Sequence, residues 1–384
     1  MRRIIKNIIF CIFAAALCCG VLHPYRGDGH DMPGQRDVFA PLINFRASLN
    51  NEPPANKFIF VQQRPWKHIE EPAPRSYVKR LLRREVTLGA VGDVTLSSNY
   101  VKPYAYSFDY YYDTYGAAYF FENVRGIFEM CDVSVVNLEC ALTDDLSTRI
   151  KQDYAYGGKK EYTEILKLGG IDIVNLANNH SFDYGQAGFD DTVEALEAAG
   201  IEYFGYDNVL IYEINGLKIG FIGVWGSADT SASRLQRFRD QFDYLDSRGA
   251  DLKIISIHWG YNDELIQNAH QTYLGRFFID NGADLVLGHH PHVLQGIEFY
   301  NGKYIVYSLG NFIFDGNAVR DIEHRTTIIF QITFVLEGGR IISSEINLIP
   351  ALSSSERWQN NFQPVLAEGE MHDYILRIIG ERSE

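Results

Sequence analysis

From Glu85 onward, short apolar runs alternate with amphipathic stretches. Residues 86–91 form an apolar run that ends in Gly92-Asp93, which predicts a strand feeding a loop. Similar runs predict strands over 133–136, 171–174, 252–257 and 284–287. Apolar positions at helical spacing predict helices over 118–129, 161–168, 189–199 and 267–279. Asn215-Gly216, Asn301-Gly302 and Gly338-Gly339 each separate two strand-like runs and predict hairpins: 211–214 with 218–224, 297–300 with 303–308, and 326–335 with 341–348. Strands thus alternate with helices early and hairpins gather late, a mixed α/β sheet system. The Tyr-rich stretch 100–121 reads as a surface excursion whose aromatics pack on the core or, less simply, line a binding face.

The first residues carry a different pattern. Arg2, Arg3 and Lys6 precede an apolar run over 8–19, too short for an ordinary spanning helix and suited to a signal segment. Cys18 and Cys19 suggest a lipoprotein signal, although Leu17 stands where a small residue is usual; an uncut anchor over 1–22 is the alternative. Either way the basic end stays inside, and the expected location is the cell envelope, outside the cytoplasm, as an anchored, lipidated or secreted protein. Residues 23–85 hold many prolines with little periodicity and read as a linker, leaving a main domain at 86–350 and a tail at 351–384, which after about Arg357 reads as a short closing helix or a mobile end. Lys79, Arg80, Arg83 and Arg84 read as a solvated helix face, with contact to anionic lipid or polymer the sharper alternative. Cys131 and Cys140 flank an extended run that holds them too far apart to bridge, so buried free thiols are expected.

Composition narrows the function. The 384 residues are 46% hydrophobic and 22% charged, which is a globular balance, and the net charge of -14 argues against a nucleic-acid partner. An anionic substrate needs a local positive feature, such as bound metal.

Metal-competent side chains recur just after the expected strands. Asp93 follows the first, Glu139 the second, and Asn179 and His180 the third. His258 ends the fourth, and Gly288-His289-His290-Pro291-His292 follows the fifth. Open α/β sheets bind ligands beyond the carboxyl ends of their strands, so these placements converge on one cleft. Carboxylate and amide oxygens with imidazoles suit one or two ions of manganese, iron or zinc, and a bridging carboxylate suits a two-metal site. Singly each signal is weak, since Gly-Asp is usually a turn and a lone histidine usually a satisfied polar residue. Three histidines in four residues are harder to explain away. The i, i+2 spacing of His290 and His292 in extended chain predicts both rings on one side, with Gly288 allowing a sharp exit from the strand.

These stretches, with Val136-Asn137-Leu138-Glu139, Asn178-Asn179-His180-Ser181-Phe182-Asp183-Tyr184-Gly185, His258-Trp259-Gly260, Gly288 through Gln295 and Tyr307 through Phe312, resemble the CapA family of capsule and poly-γ-glutamate synthesis proteins. The match runs from residue 86 to about 348. The resemblance implies a metallophosphoesterase-like two-sheet α/β sandwich flanked by helices. It implies Asp93, Glu139, Asn179, His258, His290 and His292 as metal ligands, with Glu139 bridging. It implies His180 as the acid near the leaving group, oriented by Asp183, and Asn178, His289 and Asn311 behind the ligands; spacing alone leaves open which of His289 and His290 binds metal. The implied role is a metal-dependent hydrolase acting on a phosphoester or anionic polymer beside membrane synthesis and export subunits; the alternative is a scaffold without catalysis. The pattern departs at Thr95, where the superfamily carries the histidine of Asp-x-His, and at Asn262, where relatives often carry Glu and where Asp263 or Glu264 could substitute.

Overall fold

The computed structural model describes residues 44–47, 83–99, 102–150, 154–226, 229–315 and 321–384. The expected signal or anchor at 1–22 and nearly all of the linker at 23–85 lie outside the described residues. Among the described residues no helix is long and apolar enough to cross a membrane.

Two mixed sheets pack face to face. The larger runs β1 (Asn44–Ala47), β16 (Arg340–Leu352), β15 (Thr326–Glu337), β2 (Arg83–Val94), β3 (Val133–Leu138), β6 (Ile173–Asn175) and β7 (Glu202–Phe204), with β14 (Asn311–Ile313) beside β2 and β17 (Val365–Leu366) beside β16. The smaller runs β12 (Ile297–Tyr300), β13 (Lys303–Val306), β11 (Leu285–His289), β10 (Leu252–His258), β9 (Leu217–Trp225) and β8 (Leu210–Ile214). Two short strands, β4 (Ala141–Leu142) and β5 (Gly157–Gly158), pair with each other apart from both sheets. In both large sheets the central strands are parallel: β2, β3, β6 and β7 in one, β9, β10, β11 and β13 in the other. Parallel strands must be covered on both faces, and period-two alternation does this. Leu88, Ala90, Val135 and Ile173 point into the space between the sheets, where Ile219, Phe221, Ile254 and Leu287 meet them. Phe204 and Phe221 join across that space with ring centroids 5.3 Å apart.

Helices cover the outer faces. Val91, Val136 and Val174 face α1 (Phe108–Tyr115), α2 (Arg125–Glu129), α3 (Thr163–Gly169) and α4 (Gly185–Ala199). Ile222, Val224, Ile255 and Ile257 face α5 (Ala232–Ser247) and α6 (Ala269–Asp280). The result is the expected α/β sandwich with helices on both sides. The Asn-Gly and Gly-Gly pairs do form hairpin turns: Asn215, Gly216, Asn301, Gly302, Gly338 and Gly339 all have positive φ, as the hairpin geometry requires. Cys131 and Cys140 are buried and unbridged, as expected.

Several expectations change. The helix over 118–129 is split into a 3-10 turn, Ala117–Phe121, and α2, because Val124 leaves the helical region at φ -126. The excursion at 100–121 is half core: Phe108, Tyr111 and Phe120 are buried, while Tyr104, Tyr106 and Tyr115 stay exposed. β2 begins at Arg83, so Arg83 and Arg84 lie on a strand rather than a helix face. Of the two readings of residues after Arg357, the closing helix is the one that forms: β17 pairs with β16, and α7 (Gly369–Arg382) buries Ile375, Ile378 and Ile379 in the inter-sheet core. Its Arg382 donates to the Leu294 carbonyl at 2.7 Å, just beyond the histidine loop.

Gly92 and Gly288 are demanded by close approach. A Cβ on Gly92 would lie 1.9 Å from the Gly310 carbonyl oxygen, and one on Gly288 2.1 Å from that of Tyr307. Gly288 is therefore an interior position of β11 that admits a neighbouring backbone, and the expected sharp exit does not occur there. Gly92→Ala is expected to lower stability by roughly 1–3 kcal/mol, the usual cost of overpacking. Urea denaturation checks this; an unmoved midpoint would show that the 309–310 segment yields freely.

Candidate metal centre

The polar residues of the site begin as a row across the larger sheet. β2, β3 and β6 align Asp93, Asn137 and Asn175 in register at their carboxyl ends, and Asn311, the first residue of β14, lies beside Asp93. All are buried, so each must find a partner. Asn137 donates to Asp93 Oδ1 at 2.8 Å and accepts from Asn175 at 3.0 Å and Asn178 at 3.3 Å. Asn178 also donates to the Leu138 carbonyl at 2.8 Å, and its own Oδ1 accepts from the His180 N–H at 3.0 Å. Asn178 thus spends its amide on the scaffold, while the neighbouring Asn179 keeps a buried Oδ1 with no partner.

The smaller sheet supplies the imidazoles. His258 ends β10 in register with His289 at the end of β11. His290 and His292 follow with φ of 99 and 61, a backbone region that side chains other than Gly seldom occupy. The loop is therefore coiled, not extended, and it is this coiling that brings the two rings within 5.8 Å of each other. Strain of about 1–3 kcal/mol per residue persists only where surroundings over-determine it. Here the His290 N–H donates to Asp93 Oδ2 at 3.3 Å, and His292 Nδ1 meets Asn311 Oδ1 at 2.9 Å.

Glu139 sits at the centre. Its Oε1 is 3.4 Å from His258 Nε2 and 3.9 Å from His180 Nε2, yet neither carboxylate oxygen has a hydrogen-bond partner. His290 Nδ1 faces His258 Nε2 at 2.9 Å, so either one proton is shared or a cation takes its place. Two trios offer ligand atoms within 4.8 Å of one another: Glu139, His290 and His292, and Asp93, Glu139 and His258. Glu139 belongs to both. On the far side, His180 Nδ1 meets Asp183 Oδ2 at 2.7 Å, and Asp183 also accepts from the Tyr156 N–H at 2.8 Å. The Tyr156 ring packs edge-on against His180 with centroids 4.7 Å apart.

Charge follows from this packing. Burial pushes the Glu139 carboxyl well above its usual range, and the Asp93 and Asp183 carboxylates push the same way. Burial would also raise Asp93, but His289, His292 and His258 outweigh it and hold that carboxyl well below the usual range. Burial drives His258 far down and, with His292 nearby, takes His290 to about 4. Neutral imidazoles and an uncompensated carboxylate are the donor set a divalent cation requires. The chemistry of the residues therefore fits a metal.

Other residues singled out in the sequence lie beside or away from the two trios. His289 Nδ1 lies 3.5 Å from Asp93 Oδ1 and belongs to neither trio. Thr95 donates its hydroxyl to the Glu139 carbonyl at 3.2 Å, bracing the backbone where relatives of the fold place a histidine. The Asp263 carboxylate meets His324 at 2.7 Å and Glu264 lies 3.4 Å from Asn268, so each has a partner away from the two trios. Asn137 and Asn175 are absent from the expected site. Their signal was present: Val-Asn-Leu occurs at 136–138 and again at 174–176.

The family model described as "Bacterial capsule synthesis protein PGA_cap" matches residues 87–316. This chain belongs to that family. It is similar to the capsule biosynthesis protein CapA of Bacillus anthracis, at 29% identity over 63% of each chain. It is also similar to the PGA biosynthesis protein CapA of Bacillus subtilis (strain 168), at 33% identity over 53% of this chain and 59% of that one. The chain thus spans about three fifths of the length of these curated relatives. Among solved structures, TT1561 of Thermus thermophilus aligns with 64% of this chain and 94% of its own at 10% identity and a TM-score of 0.38. Purple acid phosphatase PPD1 of yellow lupin aligns with 68% and 53% at 7% identity and a TM-score of 0.32.

The histidine shifts set a pH dependence. A folded-state pKa below the unfolded value means the unfolded chain binds more protons, so stability is full above 6.5 and is lost as pH falls toward about 4. In chelator-treated protein, His290→Gln should lose less thermal stability than the wild type across that window. Parallel losses in both proteins would remove His290 as a source.

Proposed function

We propose that this chain is a divalent-metal-dependent hydrolase of the phosphoesterase type that serves capsule or poly-γ-glutamate biosynthesis in the cell envelope. The observation that carries the reading is Glu139, a fully buried carboxylate without a hydrogen bond, set among His258, His290, His292 and Asp93. Leaving such a charge unpaired is costly, and a cation relieves it. Asp93, Glu139, Asn179, His258, His290 and His292 would hold one or two ions of manganese, iron or zinc. When bound, such an ion supplies Lewis acidity and lowers the pKa of water. The protein's own residues do the rest. Asp183 takes the Nδ1 side of His180 and leaves Nε2 facing the site, the arrangement of a proton donor to a leaving group. Tyr156 and Phe314 wall the site, with the Phe314 ring 4.5 Å from that of His292, and limit water. The substrate is an anionic polymer or a phosphoester; membrane synthesis and export subunits are the expected neighbours, and no nucleic acid is.

A second reading, a scaffold without catalysis, draws on Thr95, which cannot replace an imidazole ligand and is occupied with the Glu139 carbonyl. The two readings part on one experiment. Elemental mass spectrometry of the purified full chain should find near-stoichiometric manganese, iron or zinc, with phosphodiester or phosphomonoester turnover abolished by chelator. A folded protein without metal, inert after metal is restored, supports the scaffold. His292→Ala should lower metal content; unchanged stoichiometry removes it from the ligand set. His180→Ala should keep the metal and lower kcat by about 10²–10⁴, the usual worth of a general acid; wild-type turnover would refute that role.

A further inference from the structure

A second cavity of about 530 Å³ opens beside the metal centre, at the carboxyl end of β9 and along α5. It is joined to the centre by backbone. Trp225 sits in register with His258, and the Gly226 N–H donates to the His258 carbonyl at 2.7 Å. Tyr206 lines the cavity and donates its hydroxyl to the Asn178 carbonyl at 2.7 Å, one residue from Asn179. A chain whose reacting bond lies at the metals would therefore place its next unit here.

The lining is chemically selective. Arg234 and Arg237 bring two guanidiniums against one carboxylate, Asp229. Asp229 accepts the Ser231 N–H at 2.8 Å, which turns it toward the start of α5. Arg234 donates to the Trp225 and Asp229 carbonyls and lies 5.6 Å from the Phe238 ring centre, which fixes it in place. Arg237 pairs with Asp207, but both side chains are exposed, 56% and 81%. Such pairs are worth about 0–1 kcal/mol, so an incoming carboxylate can take the place of Asp207. Ser233 adds an exposed hydroxyl, and Trp225 is half exposed, an open aromatic wall. Gln241 lines the same cavity and donates its amide N–H to the Tyr206 carbonyl at 3.1 Å, which holds two lining residues together. Cationic forks, hydroxyls and an aromatic wall together suit a chain bearing carboxylates.

We propose that the Trp225–Arg234–Arg237 cavity is a subsite for a carboxylate-bearing chain, seated next to the metal centre. The proposal rests on the polymer-directed reading above, but binding in the cavity needs no metal, so the two can fail separately. The test is titration of the full chain, stripped of metal, with a γ-linked glutamate tetramer, followed by Trp fluorescence and calorimetry. The neutral glutamine tetramer is the comparator. The acid tetramer should bind, weaken with added salt, and exceed the neutral one by at least about tenfold, the scale of one charge-assisted contact. Arg237→Gln and Arg234→Gln should each weaken it about tenfold, and Trp225→Phe should remove the fluorescence change. Circular dichroism of each variant separates misfolding from loss of contact, and Arg237→Lys, which keeps charge on an exposed position, should retain part of the affinity. Equal affinity for acid and neutral tetramers, unchanged affinity in both arginine variants, or no binding by the wild type overturns the subsite. If the tetramer binds as described while metal is never found, the subsite stands and the hydrolase reading falls.

Discussion

The centre depends on one costly arrangement: polar groups held in register at the buried ends of neighbouring parallel strands. Asn311, Asp93, Asn137 and Asn175 form a row that water does not reach. Every amide in that row is committed to a neighbour, and the sum of those commitments fixes Asp93 and the backbone that carries Glu139. A buried polar network of this kind tolerates little: fully satisfied it defines one geometry, partly satisfied it destabilises. The unpaired oxygens of Glu139 are where satisfaction is withheld, and Oε1 faces the imidazoles of His258 and His180. Structure and proposed chemistry are thus two sides of one accounting of hydrogen bonds.

The second sheet contributes differently. Its two central strands, β10 and β11, end in histidine rather than amide, and the loop after β11 reaches the centre through two strained residues, His290 and His292. The strain is opposed by Asp93 and Asn311, which belong to the other sheet. Neither sheet alone holds a complete set of donors. The apolar core between them, from Leu88 and Ile173 on one side to Phe221 and Leu287 on the other, therefore sets the distance between ligands as well as the stability of the fold.

Much of this was legible from residue order alone, because strand ends in α/β sheets are where binding residues collect. Asp93, Glu139, His258 and the histidine loop each follow an apolar run, so their convergence could be inferred before any coordinate. Asn137 and Asn175 escaped because a polar residue inside a strand looks like a surface alternation until the strand is known to be covered on both faces. α5 escaped for the opposite reason. Its Leu235, Phe238, Phe242 and Leu245 keep helical spacing, but the charged residues between them mask it. The positive φ values of His290 and His292 have no local signature, since Pro291 favours extended chain before it and only long-range contacts impose the turn.

The docking of Arg382 onto the Leu294 carbonyl has a consequence in time. The strained histidine loop is buttressed by a helix that follows it by most of a hundred residues. During synthesis the parallel strands and their row of asparagines can assemble while that helix has yet to be made. At that stage Asp93 and Asn311 can already hold His290 and His292, while the Leu294 carbonyl still waits for its Arg382 donor. The last link in the frame around the centre is thus a late event in the life of the molecule, made after the sheets are closed.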